Sequence, residues 1–258
     1  MGSPPSQSAV GPALRSALHK LLREALRALE TFDRDRPARA HFVRTRVKRI
    51  QSLARLVTHG SSWRERFLPP CHELKDLFAE LRDASIVYAL AEKYAPGEAH
   101  HLRVVAPPEL KRAAHLAEFA EDVLSDYPEW TAMEWKDVAS RAVRTYRASR
   151  KSWREAARKN APDAAFHDWR RLVKRLLYQC EYIGRRARLV RLTARVDRLG
   201  ATLGEIQDVC MAEDWIKKHL GKIPADLPRS KKVLRRRALE QGKVLLAPKP
   251  REFRRMLG

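Results

Sequence analysis

Apolar residues recur at intervals of three and four along nearly the whole chain, and no segment alternates as a half-buried strand would. Proline- and glycine-containing stretches interrupt this period, and such stretches are typical of the connections between helices. The segments between them are predicted to be helices at 12–33, 38–58, 71–94, 109–126, 129–159, 163–184, 189–219 and 229–246. Eight helices with short connections predict an all-α bundle architecture.

One pattern occurs twice in the chain, at an offset of 126 residues. The sequence HFVRTRVKRIQSLARLV at 41–57 aligns with HDWRRLVKRLLYQCEYI at 167–183. Each copy begins with a histidine and carries cations three, seven and eight positions later, and most apolar positions agree. The matched residues are His41 with His167, Arg44 with Arg170, Lys48 with Lys174 and Arg49 with Arg175.

Two further anchors support a duplication. The predicted helix before each histidine carries a matched basic triple at an offset of 124, and Asp83 in LRD matches Asp208 in LGEIQD at an offset of 125. The triples are Lys20, Arg23 and Arg27, and Arg144, Arg147 and Lys151. Three anchors at nearly one offset predict four helices followed by four helices. The predicted divisions are a disordered leader at 1–11, repeat one at about 12–127, repeat two at about 128–247, and a C-terminal tail at 248–258.

The spacing of the repeated cations places them on one face of each helix. Residues at i, i+3 and i+7 fall within about 60° of one another, because a helix turns about 100° per residue. His41, Arg44 and Lys48 therefore form one row, roughly 10 Å long, with Val43 and Val47 on the core side. The second copy repeats this row, Tyr178 extends it, and the basic triples have the same spacing.

Net charge points to an anionic ligand. The 258 residues include 53 lysines and arginines against 31 aspartates and glutamates, a formal net charge of +22. Residues 62–140 sum to −6 whereas residues 141–191 sum to +12, so positive charge is concentrated on particular helices. Such an excess favours polyanions such as nucleic acid, an anionic membrane or polyphosphate.

The repeated rows suggest a site for an extended anion. If the two repeats pack about a pseudo-twofold axis with these rows facing, twelve cationic or protonatable groups line one central channel. Like charges repel strongly where water is partly excluded, so the channel is expected to hold a counter-ion. Arginine can bind phosphate oxygens through two hydrogen bonds and lysine adds a compact charge. The neighbouring cations are expected to lower the pKa of the two repeated imidazoles, and a bound polyanion to raise it.

Other features of the sequence are interpreted as structural. Asp83 and Asp208 are expected to orient arginines or to lock a helix contact, and the basic run within 229–246 is expected to be a solvated helix face. The three cysteines are isolated and show no CxxC spacing, which argues against a disulfide scaffold or a zinc ribbon. No segment has the length and apolarity of a membrane span.

The HxxRxxxKR segments at 41–49 and 167–175, with LRD and LGEIQD, resemble the signature helices and companion motifs of the CHAD domain family. The resemblance covers about residues 12–247, as a single domain. It implies two four-helix bundles related by an internal pseudo-twofold repeat, whose basic faces line a central cavity that binds inorganic polyphosphate. The implied contacts are His41, Arg44, Lys48, Arg49, His167, Arg170, Arg171, Lys174 and Arg175. The family often has a basic residue where this chain has Leu177.

The resulting hypothesis is non-catalytic binding of inorganic polyphosphate by these contacts, the two basic triples and Tyr178. No catalytic residue, cofactor or metal is predicted, and nucleic acid is expected to bind only non-specifically. The protein is expected to be cytoplasmic and associated with polyphosphate granules, whose proteins would be further partners. Two alternatives stay open, a polyphosphate-processing phosphohydrolase and general nucleic-acid or polyanion binding. The tryptophans that could stack on bases in the second case are Trp63, Trp130, Trp135, Trp153 and Trp169.

Overall fold

The computed structural model describes residues 10–57, 61–94, 108–184, 187–219 and 225–258, together with Gly221 and Ile223. These residues are helical almost throughout and contain no strand, which confirms the predicted all-α class. The helices are α1 (Val10–Glu30), α2 (Arg36–Ala54), α3 (Ser61–Asp76), α4 (Ala79–Tyr94), α5 (Leu110–Ser125), α6 (Trp135–Ala156), α7 (Asp163–Ile183), α8 (Ala187–His219), α9 (Asp226–Leu245) and α10 (Pro250–Leu257). Short 3₁₀ helices span Phe32–Arg34 and Pro128–Ala132.

The helices divide into two compact units, Met1–Val138 and Ala139–Gly258, and the division lies within α6. Unit 1 contains α1 to α5, and unit 2 contains most of α6 with α7 to α10. The two predicted four-helix repeats divide at 127/128, and their pseudo-twofold relation stays a prediction. The first nine residues of the predicted leader lie outside the described residues, whereas α1 already begins at Val10.

Local sequence explains where the two histidine-bearing helices begin. The side chain of Asp35 caps α2 by accepting a hydrogen bond from the backbone N–H of Ala38 at 3.1 Å. Pro37 follows in the first turn, where no helical N–H donor is required. Helix α7 likewise follows Pro162 and has Asp163 in its first turn, where a negative charge is favourable.

The core of unit 1 includes an aromatic cluster that joins α3 to the end of α5. The Trp63 and Phe67 rings are stacked with their centroids 4.6 Å apart, and the Tyr127 and Trp130 rings meet edge to face at 5.0 Å. The indole N–H of Trp63 donates to the carbonyl oxygen of Val123 at 3.0 Å. The buried indole nitrogen therefore has a partner, as a buried polar group requires.

Helix α3 differs from the sequence prediction. The sequence predicts no helix at 59–70, but α3 covers most of this stretch and contains Pro69 and Pro70. The predicted helix 71–94 is divided between α3 and α4. An interior proline removes a helical hydrogen bond and costs about 3 kcal/mol or more. Phe67 and Leu74, on either side of the two prolines, are both fully buried. We infer that burial of this apolar face offsets the cost of the prolines.

The end of the chain belongs to the core of unit 2. Residues 250–257, which belong to the predicted C-terminal tail, form α10. The Phe253 ring stacks on Tyr146 of α6 with centroids 4.3 Å apart, and the Tyr146 hydroxyl donates to the Pro248 carbonyl oxygen at 2.9 Å. Burial raises the pKa of Tyr146 to about 12, so this hydroxyl stays protonated at neutral pH.

Candidate anion-binding site

The first repeated row lies on α2 with its cations in the predicted order. This α2 row consists of His41, which is exposed, and of Arg44 and Lys48, which are half-buried. Val43 and Val47 are fully buried on the opposite side of the helix. The row is therefore held on one side of a helix whose other side is fixed in the core of unit 1.

Helix α3 contacts the α2 row, and α4 brings a further cation to it. The Arg44 guanidinium donates from Nη1 to the carbonyl oxygen of Lys75 at 2.7 Å, and its buried Nε has no hydrogen-bond partner among the described residues. Burial and the nearby charge of Arg82 on α4 lower the pKa of Arg44. Arg82 was not among the predicted site residues. It directly precedes Asp83 in the LRD motif, and this position is the feature of the sequence from which Arg82 could have been predicted as a site residue.

The electrostatics of His41 agree with the prediction from the sequence. His41 is exposed by surface area but partly shielded from water, and this partial desolvation lowers the pKa of the imidazole from its ordinary value. The charges of Lys48, Arg82 and Arg44 lower it further. The neutral imidazole is therefore favoured in the ligand-free protein. An anion bound beside it would reverse the effect, because a negative charge favours the imidazolium.

Asp83 orients one of these cations. Its carboxylate accepts a hydrogen bond from Nη1 of Arg82 at 2.7 Å, and its charge acts against the lowering of the Arg44 pKa. This arrangement agrees with the predicted structural role of Asp83. Its counterpart Asp208 lies on α8 and is exposed.

The second repeated row, on α7, consists of His167, Arg170 and Lys174. His167 is exposed, and its Nδ1 lies 2.7 Å from Oε1 of Gln207 on α8. That distance favours a proton on Nδ1 and fixes the orientation of the ring. Lys174 is half-buried, with Nζ 3.9 Å from a carboxylate oxygen of Asp197, also on α8. Helix α8 thus orients both ends of the α7 row.

Two glycines of α8 lie beside the α7 row. A Cβ atom at Gly200 would lie 3.2 Å from both Cε and Nζ of Lys174, and a Cβ at Gly204 would lie 3.9 Å from Nε of Arg170. Glycine inside a helix costs about 1 kcal/mol relative to alanine, so its presence calls for a reason. We infer that Gly200 makes room for the Lys174 side chain. Neither glycine was among the predicted site residues, although the segment LGATLGEIQD contains both.

The remaining predicted residues of the histidine helices differ in exposure. Arg49, Arg175 and Tyr178 are half-buried. Arg171 is exposed, and its Nη1 lies 3.6 Å from the carboxylate of Asp168 on the same helix. Leu177, where the family often has a basic residue, is only 3% exposed. In this chain that position contributes to the core of unit 2.

The basic triples of α1 and α6 are all exposed. The α1 triple lines a groove of about 580 Å³ with its neighbour His19. Glu121 of α5 lies 3.1 Å from Nδ1 of His19 and 3.2 Å from Nε of Arg23, so it partly neutralises this groove. The contacts described for the α2 row instead run to α3 and α4. Within unit 1, the triple and the row therefore have different neighbours.

None of the three cysteines belongs to the basic rows. All three are free thiols, and burial raises the pKa of Cys71 and of Cys180 to about 12, so both stay protonated at neutral pH. Within the described ranges, no group of three or more histidine, cysteine, aspartate or glutamate side chains is placed to hold a metal ion. The described helices also include none with a long enough apolar stretch to cross a bilayer.

The family model of the CHAD domain matches residues 12–217. The match covers most of the chain and includes both histidine helices, so the chain belongs to the CHAD domain family. The sequence resemblance is thereby confirmed, although it was expected to extend to 247, and the match ends before α9 and α10. Searches among curated proteins and among solved structures give no match.

Proposed function

We propose that this protein binds inorganic polyphosphate through the α2 and α7 rows and does not catalyse its turnover. The observation that carries the proposal is the group of cations beside His41, because Arg44 and Lys48 share its face of α2. Partial burial lowers the pKa of this imidazole, and the charges of Lys48, Arg82 and Arg44 lower it further. Concentrated like charge is costly without a counter-ion. The flanking Arg49, together with Arg171, Arg175 and Tyr178 beside the second row, would complete the contacts.

The shape of the rows favours a long ligand with many charges. In each row the lysine lies seven positions after the histidine, which is roughly 10 Å along a helix. A single phosphate would meet only part of such a row, whereas a phosphate chain can contact its whole length. The exposed triples of α1 and α6 would bind further phosphates. Family membership supports the same ligand, and binding would recruit the protein to polyphosphate stores and their granule proteins.

The tryptophans argue against nucleic acid as the ligand of the α2 and α7 rows. Trp63, Trp130 and Trp169 are at most 3% exposed, so they have no surface on which a base could stack. Trp135 and Trp153 are half-buried, but they lie on α6 and not on either row helix. Sequence-tolerant binding of single strands depends on such stacking together with charge. A chain of phosphates without bases requires only the charged rows.

Competition calorimetry tests the proposal against general polyanion binding. Long-chain polyphosphate, single-stranded RNA and duplex DNA would each be titrated into the protein at several salt concentrations. We expect submicromolar affinity for polyphosphate, on the order of −8 kcal/mol or better, and no displacement of it by excess RNA. Equal affinity for all three polymers would overturn the proposal and indicate general polyanion capture. Release of shorter phosphates during incubation would instead indicate a phosphohydrolase.

Polyphosphate affinity is expected to rise as the pH falls from about 8 to about 6. The pKa of His41 is lowered in the ligand-free protein, and a bound polyanion raises it, so binding takes up a proton. The gain in affinity is therefore absent at pH values above the pKa of His41 in the complex, and it is complete below the pKa of His41 in the free protein. Each unit by which binding raises this pKa contributes a tenfold gain in affinity. Calorimetry across this range measures the gain, and His41→Gln should remove most of it. An unchanged pH dependence in that variant would exclude His41.

Substitution of Gly200 is expected to change stability and binding in opposite directions. Gly200→Ala should stabilise α8 by up to about 1 kcal/mol and displace Lys174, since the new Cβ would lie 3.2 Å from its Nζ. We expect polyphosphate affinity to fall by roughly threefold to tenfold, about the energy of one hydrogen bond. Thermal melts and calorimetry measure the two effects.

Gly204→Ala is the matched control, because its Cβ would be in ordinary contact with Arg170 at 3.9 Å. It should stabilise the helix by a similar amount and leave polyphosphate affinity nearly unchanged. If both variants bind polyphosphate as tightly as the wild-type protein, the position of Lys174 does not matter for the ligand.

A further inference from the structure

Unit 2 has a second basic surface, in a groove of about 410 Å³ between the end of α6 and α9. Two half-buried apolar side chains, Trp153 and Leu239, line it. Three exposed cations, Lys232, Arg236 and Lys243, line it as well. Their spacing of four and seven residues puts these cations on one face of α9, in a row of roughly 16 Å.

This groove is distinct from the proposed polyphosphate rows. Trp153 lies nine residues after Arg144, the first residue of the basic triple on α6. The two residues are therefore about 180° apart around the helix. Helix α9 begins after residue 217, where the family match ends. The groove therefore combines a family helix with one beyond the matched region.

Contacts around the groove hold its apolar part in place. The indole N–H of Trp153 donates to the Leu239 carbonyl oxygen at 3.2 Å. A Cβ at Gly242 would lie 2.6 Å from Cδ1 of Trp153, so the ring lies directly against the α9 backbone. Arg235, which also lines the groove, is paired with Asp163 and lies over the Phe166 ring at 4.6 Å. The apolar surface is thus preorganised for a ligand.

We propose that this groove binds a nucleotide unit, with the base against Trp153 and Leu239 and the phosphates on Lys232, Arg236 and Lys243. An indole ring and guanidinium groups both stack on planar bases, whereas inorganic polyphosphate gains nothing from an apolar surface. The volume lies within the range of small-ligand pockets. Glu240, the one carboxylate among the described lining residues, can accept a hydrogen bond from an amino group of the base.

Displacement of fluorescently labelled ATP, followed by anisotropy, tests the proposal. Unlabelled ATP should compete at roughly tenfold lower concentration than inorganic tripolyphosphate, because the stacking of its base adds to the free energy of binding. Trp153→Leu should remove that difference. Displacement by tripolyphosphate at the same concentration as ATP would overturn the proposal, since the site would then recognise phosphate alone.

Two charge-reversal pairs on α9 locate the binding. Lys232→Glu with Arg236→Glu should weaken ATP binding roughly tenfold or more, about the worth of one charged hydrogen bond. The control pair, Arg229→Glu with Arg237→Glu, makes the same change of charge at exposed positions of α9 that do not line the groove. The control pair should change the logarithm of the ATP affinity by less than about a third as much as the Lys232 and Arg236 pair does. Equal weakening by both pairs would overturn the proposal.

Single-stranded RNA of about 12 nucleotides separates the two sources of a nucleotide unit. If RNA displaces labelled ATP at a lower concentration, counted in nucleotides, than unlabelled ATP does, the groove binds nucleic-acid strands. Displacement by ATP but not by RNA assigns it to free nucleotides. The described lining residues of the groove belong to α6 and α9, so loss of the ATP preference in Trp153→Leu tests the groove whether or not the polyphosphate proposal holds.

Discussion

Replacement of Arg44 and Arg170 together by alanine is expected to weaken polyphosphate binding roughly 100-fold at low salt, since a hydrogen bond to a charged group contributes about 1.5 kcal/mol or more. The two residues occupy the same position in the α2 and α7 rows. The slope of log affinity against log salt should also fall by about 0.7–0.9 for each lost phosphate contact. Calorimetry between about 50 and about 200 mM salt measures both quantities.

A matched pair on α10 controls for the lost charge. Arg254 and Arg255 are both exposed and lie outside the two rows, so Arg254→Ala with Arg255→Ala removes the same net charge. It should lower the affinity only a few-fold. Circular dichroism must show unchanged helical content in both variants, because Arg44 also bonds to α3 through the Lys75 carbonyl. An unchanged salt slope in the Arg44 and Arg170 variant would place the site elsewhere.

Truncation of Trp169 to alanine is expected to destabilise unit 2 by about 3–5 kcal/mol, the usual cost of removing a buried tryptophan. Its side chain is fully buried, and a Cβ at Gly242 would lie 2.6 Å from its ring, so the ring joins α7 to α9. Denaturant unfolding followed by circular dichroism measures the loss. Trp135→Ala, at a half-buried position in the first turn of α6 and within unit 1, should cost much less. Unchanged stability in Trp169→Ala would mean that α9 does not depend on the Trp169 contact.

Helical period and the duplicated histidine segment predicted the class of fold and the order of the cations on α2 and α7. These features are local, because each depends only on which residues share a face of one helix. The structure therefore keeps the predicted division into a core side and an outer side: Val43 is fully buried while His41 on the same helix is exposed. The family resemblance rests on the same local pattern.

Features that depend on contacts between distant segments were not predicted. Arg82 reaches the α2 row only because α4 packs near α2, and Gly200 matters only because Lys174 lies against α8. Pro69 and Pro70 led to the prediction that a helix begins only at residue 71, since local propensity carries no information about the aromatic core near them. Tertiary burial overrides propensity at such positions.

Nuclear magnetic resonance of isotope-labelled histidine side chains tests the central claim most directly, with His41→Gln and His167→Gln used to assign the two signals. During titration with polyphosphate, the signals of His41 and His167 should shift together and reach their end points at calorimetric saturation. The pKa of His41 should rise on binding, from a value that burial and neighbouring cations lower in the free protein. The exposed His115 on α5 should not respond. Saturation with polyphosphate that leaves the His41 and His167 signals unmoved would contradict the account.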